Sequence, residues 1–182
     1  LCAGNNIQFV NTSNIAGLSY TWIFGDGTFS NDVSPFKSFA NGGVYTVKLL
    51  AANSFGCKDS SFVNVLVNEP PKPIIVASAL NRCSNTYNFS NSNPGSTPLN
   101  YFWNFGDGTT AVLPSLQKAY TTSTSMVVNV VLTVTDTFGC TAVATTPISL
   151  LQKPSVSFTV NAVQQCVNSN SFVLNNTTTG AV

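Results

Sequence analysis

Histidine is absent from this chain of 182 residues, and charged residues make up only 7% of it. Histidine is the commonest general base and the usual partner of a serine or cysteine nucleophile. Its absence removes the most frequent kinds of hydrolytic active site. We therefore expect a protein that is not an enzyme, with no catalytic residues and no cofactor.

Basic clusters and long apolar runs are also missing. Seven Lys and Arg residues stand against six Asp and Glu residues, for a net charge of +1. The basic residues lie singly along the chain, so they cannot neutralise a row of phosphates or bind an anionic membrane surface. No run of 18 apolar residues is present, and no signal peptide is visible. We expect neither nucleic acid nor a membrane span in this segment.

The sequence does contain a long repeat. Tyr20–Thr28 reads YTWIFGDGT, and the phrase returns at Tyr101–Thr109 as YFWNFGDGT. Three cysteines recur at nearly the same interval. Cys2 and Cys83 are separated by the same number of residues as the two copies of the motif, and Cys166 follows Cys83 at a similar distance. A fixed period of about 80 residues indicates an array of similar domains.

Proline-rich linkers mark the borders between repeats. NEPPKP at Asn68–Pro73 and LQKP at Leu151–Pro154 lie at matching positions. We expect residues 1–69 to form a repeat that lacks its first strand, residues 70–152 a complete repeat, and residues 153–182 the start of a third. The sequence then reads as an excerpt of a longer array.

Within each repeat the apolar residues alternate with a period of two. Tyr20, Trp22 and Phe24 fall on one face of a strand, and Trp103 takes the place of Trp22 in the next repeat. Turn-forming residues interrupt such strands at short, regular intervals, and no helical period competes with them. The pattern predicts an all-β fold built from antiparallel sandwiches of about seven short strands, with both Trp side chains in the cores.

The Gly-Asp-Gly sequence that follows each aromatic strand has the composition of a tight turn. Glycine tolerates positive φ, and an Asp between two glycines can bond the backbone two residues on. We predict a structural role for the six residues of the two copies: Gly25, Asp26, Gly27, Gly106, Asp107 and Gly108.

Calcium binding and carboxylate catalysis are the alternatives for the same aspartates. Calcium takes six to eight oxygen ligands, usually from several acids, and glycoside cleavage needs a pair of carboxylates. Only Asp26 and Asp107 recur between the repeats, because Asp32 is replaced by Leu113 in the second. We therefore expect no metal site.

The motif Y-x-W-x-F-G-D-G-T, followed by the alternating Tyr45–Asn53 segment, strongly resembles the PKD (polycystic kidney disease) domain. The resemblance covers the whole chain and implies an all-β fold of tandem immunoglobulin-like β-sandwiches, arranged end to end and found outside cells. The added cysteines resemble those of PKD arrays in giant surface proteins of gliding or predatory Gram-negative bacteria. Those proteins are typically exported by the type IX system and serve as adhesins or filaments.

Cysteine spacing indicates disulfides rather than a zinc site. No C-x-x-C pair is present, and Cys57 and Cys140 recur in the matching phrases NSFGC and DTFGC. Disulfides imply an oxidising compartment.

Two pairings of the cysteines remain open. Within one repeat, Cys2 would join Cys57 and Cys83 would join Cys140. Alternating strands place these two loops at opposite ends of a sandwich, about 20 Å apart for a six-residue strand, which is too far for a disulfide. We therefore favour Cys2 with Cys140 across two repeats, leaving Cys57, Cys83 and Cys166 for units outside the excerpt.

The sequence is compatible with two functions. The first is a non-enzymatic structural or adhesive module in a cell-surface stalk or filament, whose partners are neighbouring repeats of the chain or further copies in a homo-oligomer. The second is a polysaccharide- or protein-binding accessory module of a secreted hydrolase. An exposed aromatic row would favour the second, and the candidates are Phe29, Phe36 and Phe62.

Overall fold

A computed structural model describes residues 1–13, 15–81, 84–93, 99–161, 163–164 and 173–179. Strands joined by turns and loops make up this part of the chain, with no α-helix in it. The predicted all-β fold is therefore confirmed.

The strands are numbered in chain order. They are β1 (Asn6–Gln8), β2 (Ser19–Ile23), β3 (Phe29–Ser30), β4 (Phe36–Ser38), β5 (Gly43–Ala52), β6 (Lys58–Val67), β7 (Ile75–Asn81), β8 (Thr86–Asn91), β9 (Leu99–Asn104), β10 (Thr110–Ala111), β11 (Ser115–Ala119), β12 (Met126–Asp136), β13 (Thr141–Leu150), β14 (Phe158–Val160) and β15 (Leu174–Asn176).

The chain divides into two compact units, which do not follow the sequence repeats strictly. The first consists of Leu1–Pro73, Asn93–Asn100 and Thr133–Val143, and the second of Ile74–Ser92, Tyr101–Leu132 and Ala144–Val182. The repeat borders at residues 69 and 152 remain predictions.

The first unit contains the β1-β4 pair and an antiparallel sheet in the order β3-β2-β5-β6. Alternation along β2 directs Trp22 inward, and Phe24 follows it into the same core. Phe9 packs between them, with ring centroids 5.6 Å from Trp22 and 5.4 Å from Phe24. These rings bury a large apolar area, and such burial stabilises the packing of the two sheets.

Strands β7 to β13 repeat this arrangement with one more strand. They form two sheets, in the orders β11-β8-β7 and β10-β9-β12-β13. Phe89 lies 5.9 Å from Trp103 and 5.4 Å from Phe105 between ring centroids, as Phe9 does in the first unit. Along β12 every second side chain from Val128 to Val134 is buried. The predicted period of two thus places the apolar residues in the core.

The region predicted to begin a third repeat is described only in part. In it, β14 pairs antiparallel with β15. No helix in the described ranges is long and apolar enough to cross a bilayer.

Candidate functional site

The FGDGT turn of the first repeat closes on itself through Asp26. The backbone N–H of Phe24 donates to the carbonyl of Thr28 at 3.1 Å and closes the turn between β2 and β3. Asp26 Oδ1 accepts from the Thr28 N–H at 3.1 Å and from the Thr28 hydroxyl at 2.6 Å. Gly25 and Gly27 have φ of +79° and +87°, a region that favours glycine.

The second repeat builds the same turn. Phe105 N–H donates to the Thr109 carbonyl at 3.1 Å. Asp107 Oδ1 accepts from the Thr109 N–H at 3.0 Å and from its hydroxyl at 2.6 Å. Gly106 and Gly108 have φ of +76° and +86°. The motif therefore encodes one local geometry twice.

The first glycine of each turn also meets the backbone of a neighbouring strand. A Cβ on Gly25 would lie 2.8 Å from the carbonyl oxygen of Thr46 in β5. A Cβ on Gly106 would lie 2.7 Å from that of Asn129 in β12. At both positions a side chain is excluded by contact as well as by φ.

A lysine completes each turn. Lys37 Nζ, from β4, lies 2.6 Å from Asp26 Oδ2, and the two side chains are 14% and 20% exposed. Lys118 Nζ, from β11, lies 2.7 Å from Asp107 Oδ2. Lys118 also donates to the Thr109 hydroxyl at 2.8 Å.

Aromatic rings flank both ammonium groups. Lys37 Nζ is 5.3 Å from the ring centroids of Phe24 and Phe39. Lys118 Nζ lies 5.6 Å from that of Phe105 and 5.2 Å from that of Tyr120. Each ammonium group therefore lies between a carboxylate and two aromatic rings, and both kinds of neighbour attract a cation.

The sequence interpretation missed these lysines, because it treated the basic residues as isolated charges. A usable signal was present: Lys37 and Lys118 are separated by the same interval as Asp26 and Asp107. Basic residues that recur at the interval of the turn aspartates are the expected partners of those aspartates.

The contacts of the turns lower the pKa of both aspartates. Partial burial alone would raise the pKa of Asp26. Hydrogen bonds from Lys37 and Thr28, together with the Lys37 charge, outweigh it and bring the pKa from its ordinary 3.8 to about 2. The same opposing causes, with Lys118 and Thr109 as partners, bring the pKa of Asp107 to about 2. Each carboxylate stays ionised and engaged by its own turn.

Chemically, this arrangement suits a structural element. One carboxylate oxygen bonds the turn and the other bonds a lysine, and a cation in the same place would have to displace the ammonium group. In the part of the chain that the structure describes, no three His, Cys, Asp or Glu residues come together as a metal site would require.

Stability should depend on pH through these two aspartates. Their folded pKa lies below the unfolded value, so their contribution is present above about pH 4 and is lost as the pH falls through about 2. We expect the free energy of unfolding to fall over this range by on the order of 1 to 2 kcal/mol per aspartate, after allowance for solvent screening.

Urea unfolding of Lys118→Met at pH 6 and pH 2.5 tests this expectation. The variant should lose stability at pH 6 and show a smaller decrease between the two pH values than the wild type. Lys72→Met is the control, because Lys72 makes an exposed pair with Glu69. Parallel pH profiles for all three proteins would contradict the assignment.

The two Trp side chains lie in the cores. Trp22 is 6% exposed and Trp103 0%. The indole N–H of Trp22 donates to the Val33 carbonyl at 3.4 Å, and that of Trp103 to the Leu113 carbonyl at 2.8 Å. Neither ring is available to stack on a ligand.

Among the cysteines, the structure brings together Cys2 and Cys140, with an S–S distance of 2.02 Å and Cα atoms 5.5 Å apart. Cys57 is free and exposed, so Cys2 is not bonded within its own repeat. Cys83 and Cys166 lie outside the described residues. Cys140 belongs by sequence to the second repeat, but its turn is part of the first compact unit.

Two of the three candidate phenylalanines share one row of the first sheet. Phe29 pairs with Ile23, Ile23 with Lys48, and Lys48 with Phe62 across β3, β2, β5 and β6. At about 4.8 Å per strand the two phenyl rings stand about 14 Å apart on the outer face. Phe29 is 68% and Phe62 73% exposed. Phe36 is exposed on β4, in the other sheet.

Comparison with known families gives a match over most of the chain. The model of the PKD domain matches residues 2–67 and again residues 68–150.

Similarity to individual proteins is more limited. Collagenase ColA of Bacillus cereus is 36% identical over 55 residues, which is 30% of this chain and 6% of the collagenase. The PKD1 domain of the Vibrio cholerae metalloprotease PrtV is 22% identical, with a TM-score of 0.39, over 44% of this chain and 96% of that domain. A Bacteroides ovatus glucan-utilisation protein, SGBP-B, solved with a mixed-linkage heptasaccharide, is 18% identical with a TM-score of 0.35, over 82% of this chain and 41% of its own.

Proposed function

Because the chain belongs to the PKD domain family, we propose that it is a non-enzymatic structural module of an extracellular protein. In this proposal it is a spacer that carries tension in a cell-surface stalk or filament, built from successive PKD repeats. Its partners are the neighbouring repeats. Binding to a target, if the whole protein is an adhesin, takes place elsewhere along the array.

The observation that carries the proposal is the disulfide between Cys2 and Cys140, which are 138 residues apart in sequence. A bond of this span closes almost the whole of two repeats into one covalent loop. Tension applied to the chain ends then passes through the bond, and the residues inside the loop cannot be drawn out. Such a bond also requires an oxidising compartment, which supports an extracellular location.

The proposal is also supported by the contacts of the turn aspartates, which are made within their own repeats. Asp26 and Asp107 are each engaged by a lysine and a threonine of their own repeat. A module whose recurring charged residues serve its own fold is suited to being repeated many times as a spacer.

Single-molecule stretching tests the proposal. With handles at residues 1 and 182, complete unfolding of the reduced chain should give roughly 450 to 500 Å more extension than unfolding of the oxidised chain, from the 138 residues inside the loop at 3.3 to 3.6 Å each. Cys2→Ser with Cys140→Ser is the control, which should extend equally under both conditions.

Other outcomes would contradict the proposal. Equal extension of the oxidised and reduced wild type would mean that the Cys2–Cys140 bond does not form and cannot carry tension. A smaller difference, matching the segments from Cys2 to Cys57 and from Cys83 to Cys140, would mean that each pairing lies within one repeat.

A second candidate function is a binding module beside a secreted hydrolase. The row that joins Phe29, Ile23, Lys48 and Phe62 favours it, as does the similarity to a segment of a collagenase. Phe29 and Phe62 correspond to Thr110 and Thr145 in the second repeat, so the row is not a general property of the repeats. Saturable binding of a glucan or collagen peptide that Phe62→Ala abolishes would favour this candidate over the spacer.

A further inference from the structure

Two turns of the chain have the same backbone geometry. We name residues 53–57 the Cys57 turn and residues 136–140 the Cys140 turn. In the first, the Asn53 side-chain oxygen accepts from the N–H groups of Phe55 and Cys57, both at 3.0 Å. The Asn53 N–H donates to the Cys57 carbonyl, also at 3.0 Å.

In the Cys140 turn, Asp136 makes the same three bonds. Its Oδ1 accepts from the N–H groups of Phe138 and Cys140 at 2.9 and 2.8 Å, and its own N–H donates to the Cys140 carbonyl at 3.0 Å. Gly56 and Gly139 have φ of +84° and +80°. The two turns therefore present their cysteines in the same way.

The turns differ in what covers them. Cys140 is 1% exposed and bonded to Cys2, and Asp136 is 6% exposed. Cys57 is exposed and unbonded. Phe55 is 90% exposed, against 57% for its counterpart Phe138. Because the backbones agree, the difference comes from the surroundings: a loop carrying a cysteine lies against one turn, and in the described part of the chain none lies against the other.

Space for such a loop exists beside Cys57. A groove of about 400 Å³ adjoins the thiol, with Ile15, Leu18 and Ala51 among the residues that line it. A loop can approach the sulfur atom there, and apolar side chains are present to be covered when it does.

We propose that the Cys57 turn is the docking surface for the cysteine loop of another PKD repeat of the same kind, and that Cys57 bonds that cysteine as Cys140 bonds Cys2. The partner is a loop of the type that contains Cys2. Cys83 and Cys166 occupy the position of Cys2 in the later repeats of the sequence. Cys2 itself is already bonded, so the loop comes from a different repeat. This proposal rests on the proposed function and extends it. Through Cys2 and Cys57, the first repeat would be bonded covalently to two other repeats.

The covalent step is a thiol–disulfide exchange with a small-molecule disulfide as the oxidant. The Cys57 thiolate attacks the oxidant and releases one thiol. The partner cysteine, as a thiolate, then attacks the Cys57 sulfur of the mixed disulfide and releases the second thiol. Two protons leave the protein, and the two electrons reside in the reduced oxidant.

Oxidation of the full chain in a glutathione buffer tests the inference. An equal mixture of unlabelled and heavy-isotope-labelled chains is oxidised and digested without reduction, so that mixed-label peptides report bonds between molecules. We expect mixed peptides joining Cys57 to Cys83 or Cys166 to exceed Cys57–Cys57 peptides by about tenfold, because a docked thiol reacts at a raised effective concentration.

A matched control moves the thiol by three residues. In the double variant Cys57→Ser with Ser54→Cys, the new cysteine is exposed in the same turn but lies away from the bonded position. It should show no preference for Cys83 or Cys166. Equal preference in this variant, random pairing of Cys57, pairing of Cys57 with Cys83 inside one molecule, or a Cys57 that stays reduced would each overturn the inference.

The same digest reports on the proposed function separately. If the Cys2–Cys140 peptide forms in full while Cys57 shows no selective partner, the inference fails and the tension-carrying loop stands. If the Cys2–Cys140 peptide is missing, the proposed function fails with it.

Discussion

Replacing Trp103 with alanine should lower the free energy of unfolding of the second repeat by about 3 to 5 kcal/mol. The side chain is fully buried between Phe89 and Phe105, and its indole N–H bonds the Leu113 carbonyl. Its removal leaves a cavity in a core too small to collapse around it. A loss of this size is a large part of the total stability of one domain.

Urea unfolding followed by circular dichroism measures the loss, and hydrogen exchange of β8 and β12 shows where it falls. Phe102→Ala is the matched control, because Phe102 precedes Trp103 on the same strand and is 48% exposed. We expect less than about 1 kcal/mol for the control. Equal effects of the two substitutions would contradict the core assignment of Trp103.

Gly106→Ala should be nearly as harmful, although it adds only a methyl group. A non-glycine residue at a φ of +76° costs roughly 1 to 2 kcal/mol. The new Cβ would also lie 2.7 Å from the Asn129 carbonyl oxygen, a backbone atom held in β12. Overpacking of this kind costs a further 1 to 3 kcal/mol or so.

Gly108→Ala separates the two causes. Gly108 has a φ of +86°, but a Cβ there would meet nothing within 4 Å. Its substitution should therefore cost roughly 1 to 2 kcal/mol, the backbone strain alone. If the free energies of unfolding of the two variants agree, the close approach to β12 has no energetic role and that part of the account is wrong.

The fold followed from the sequence because its signals are local. Alternation of Tyr20, Trp22 and Phe24 has the period of a strand, and Gly-Asp-Gly has the composition of a turn. Each pattern is confined to a short stretch of chain, and the near-identical repetition of the phrase made chance agreement improbable.

The lysine partners of the turns could not be read in the same way. Lys37 is separated from Asp26 by a strand and a loop, and nothing in its immediate neighbours marks it as an ion-pair residue. The pairing arises when β4 is brought beside the turn in the folded domain. In the sequence, the only sign of the ion pair is that the lysines and the aspartates recur at the same interval. That sign appears when the two repeats are compared and not within either repeat alone.

The surface of the first sheet illustrates a further limit. Sequence marked Phe29, Phe36 and Phe62 as candidates, but their arrangement depends on strand register. Pairing of Ile23 with both Phe29 and Lys48 is what aligns Phe29 with Phe62. Register is determined by pairing over whole strands. A list of exposed aromatic residues therefore does not show whether their side chains lie in one row across the sheet.

The most direct test of the central claim, that the FGDGT turns are structural, is a carboxyl-detected NMR titration of Asp26 and Asp107 with and without millimolar calcium. We predict a pKa near 2 for both carboxylates, unchanged by the cation. The pKa of Asp26 should return toward the ordinary value of 3.8 in Lys37→Met, and that of Asp107 in Lys118→Met. A wild-type pKa close to 4, or a saturable response to calcium, would contradict it.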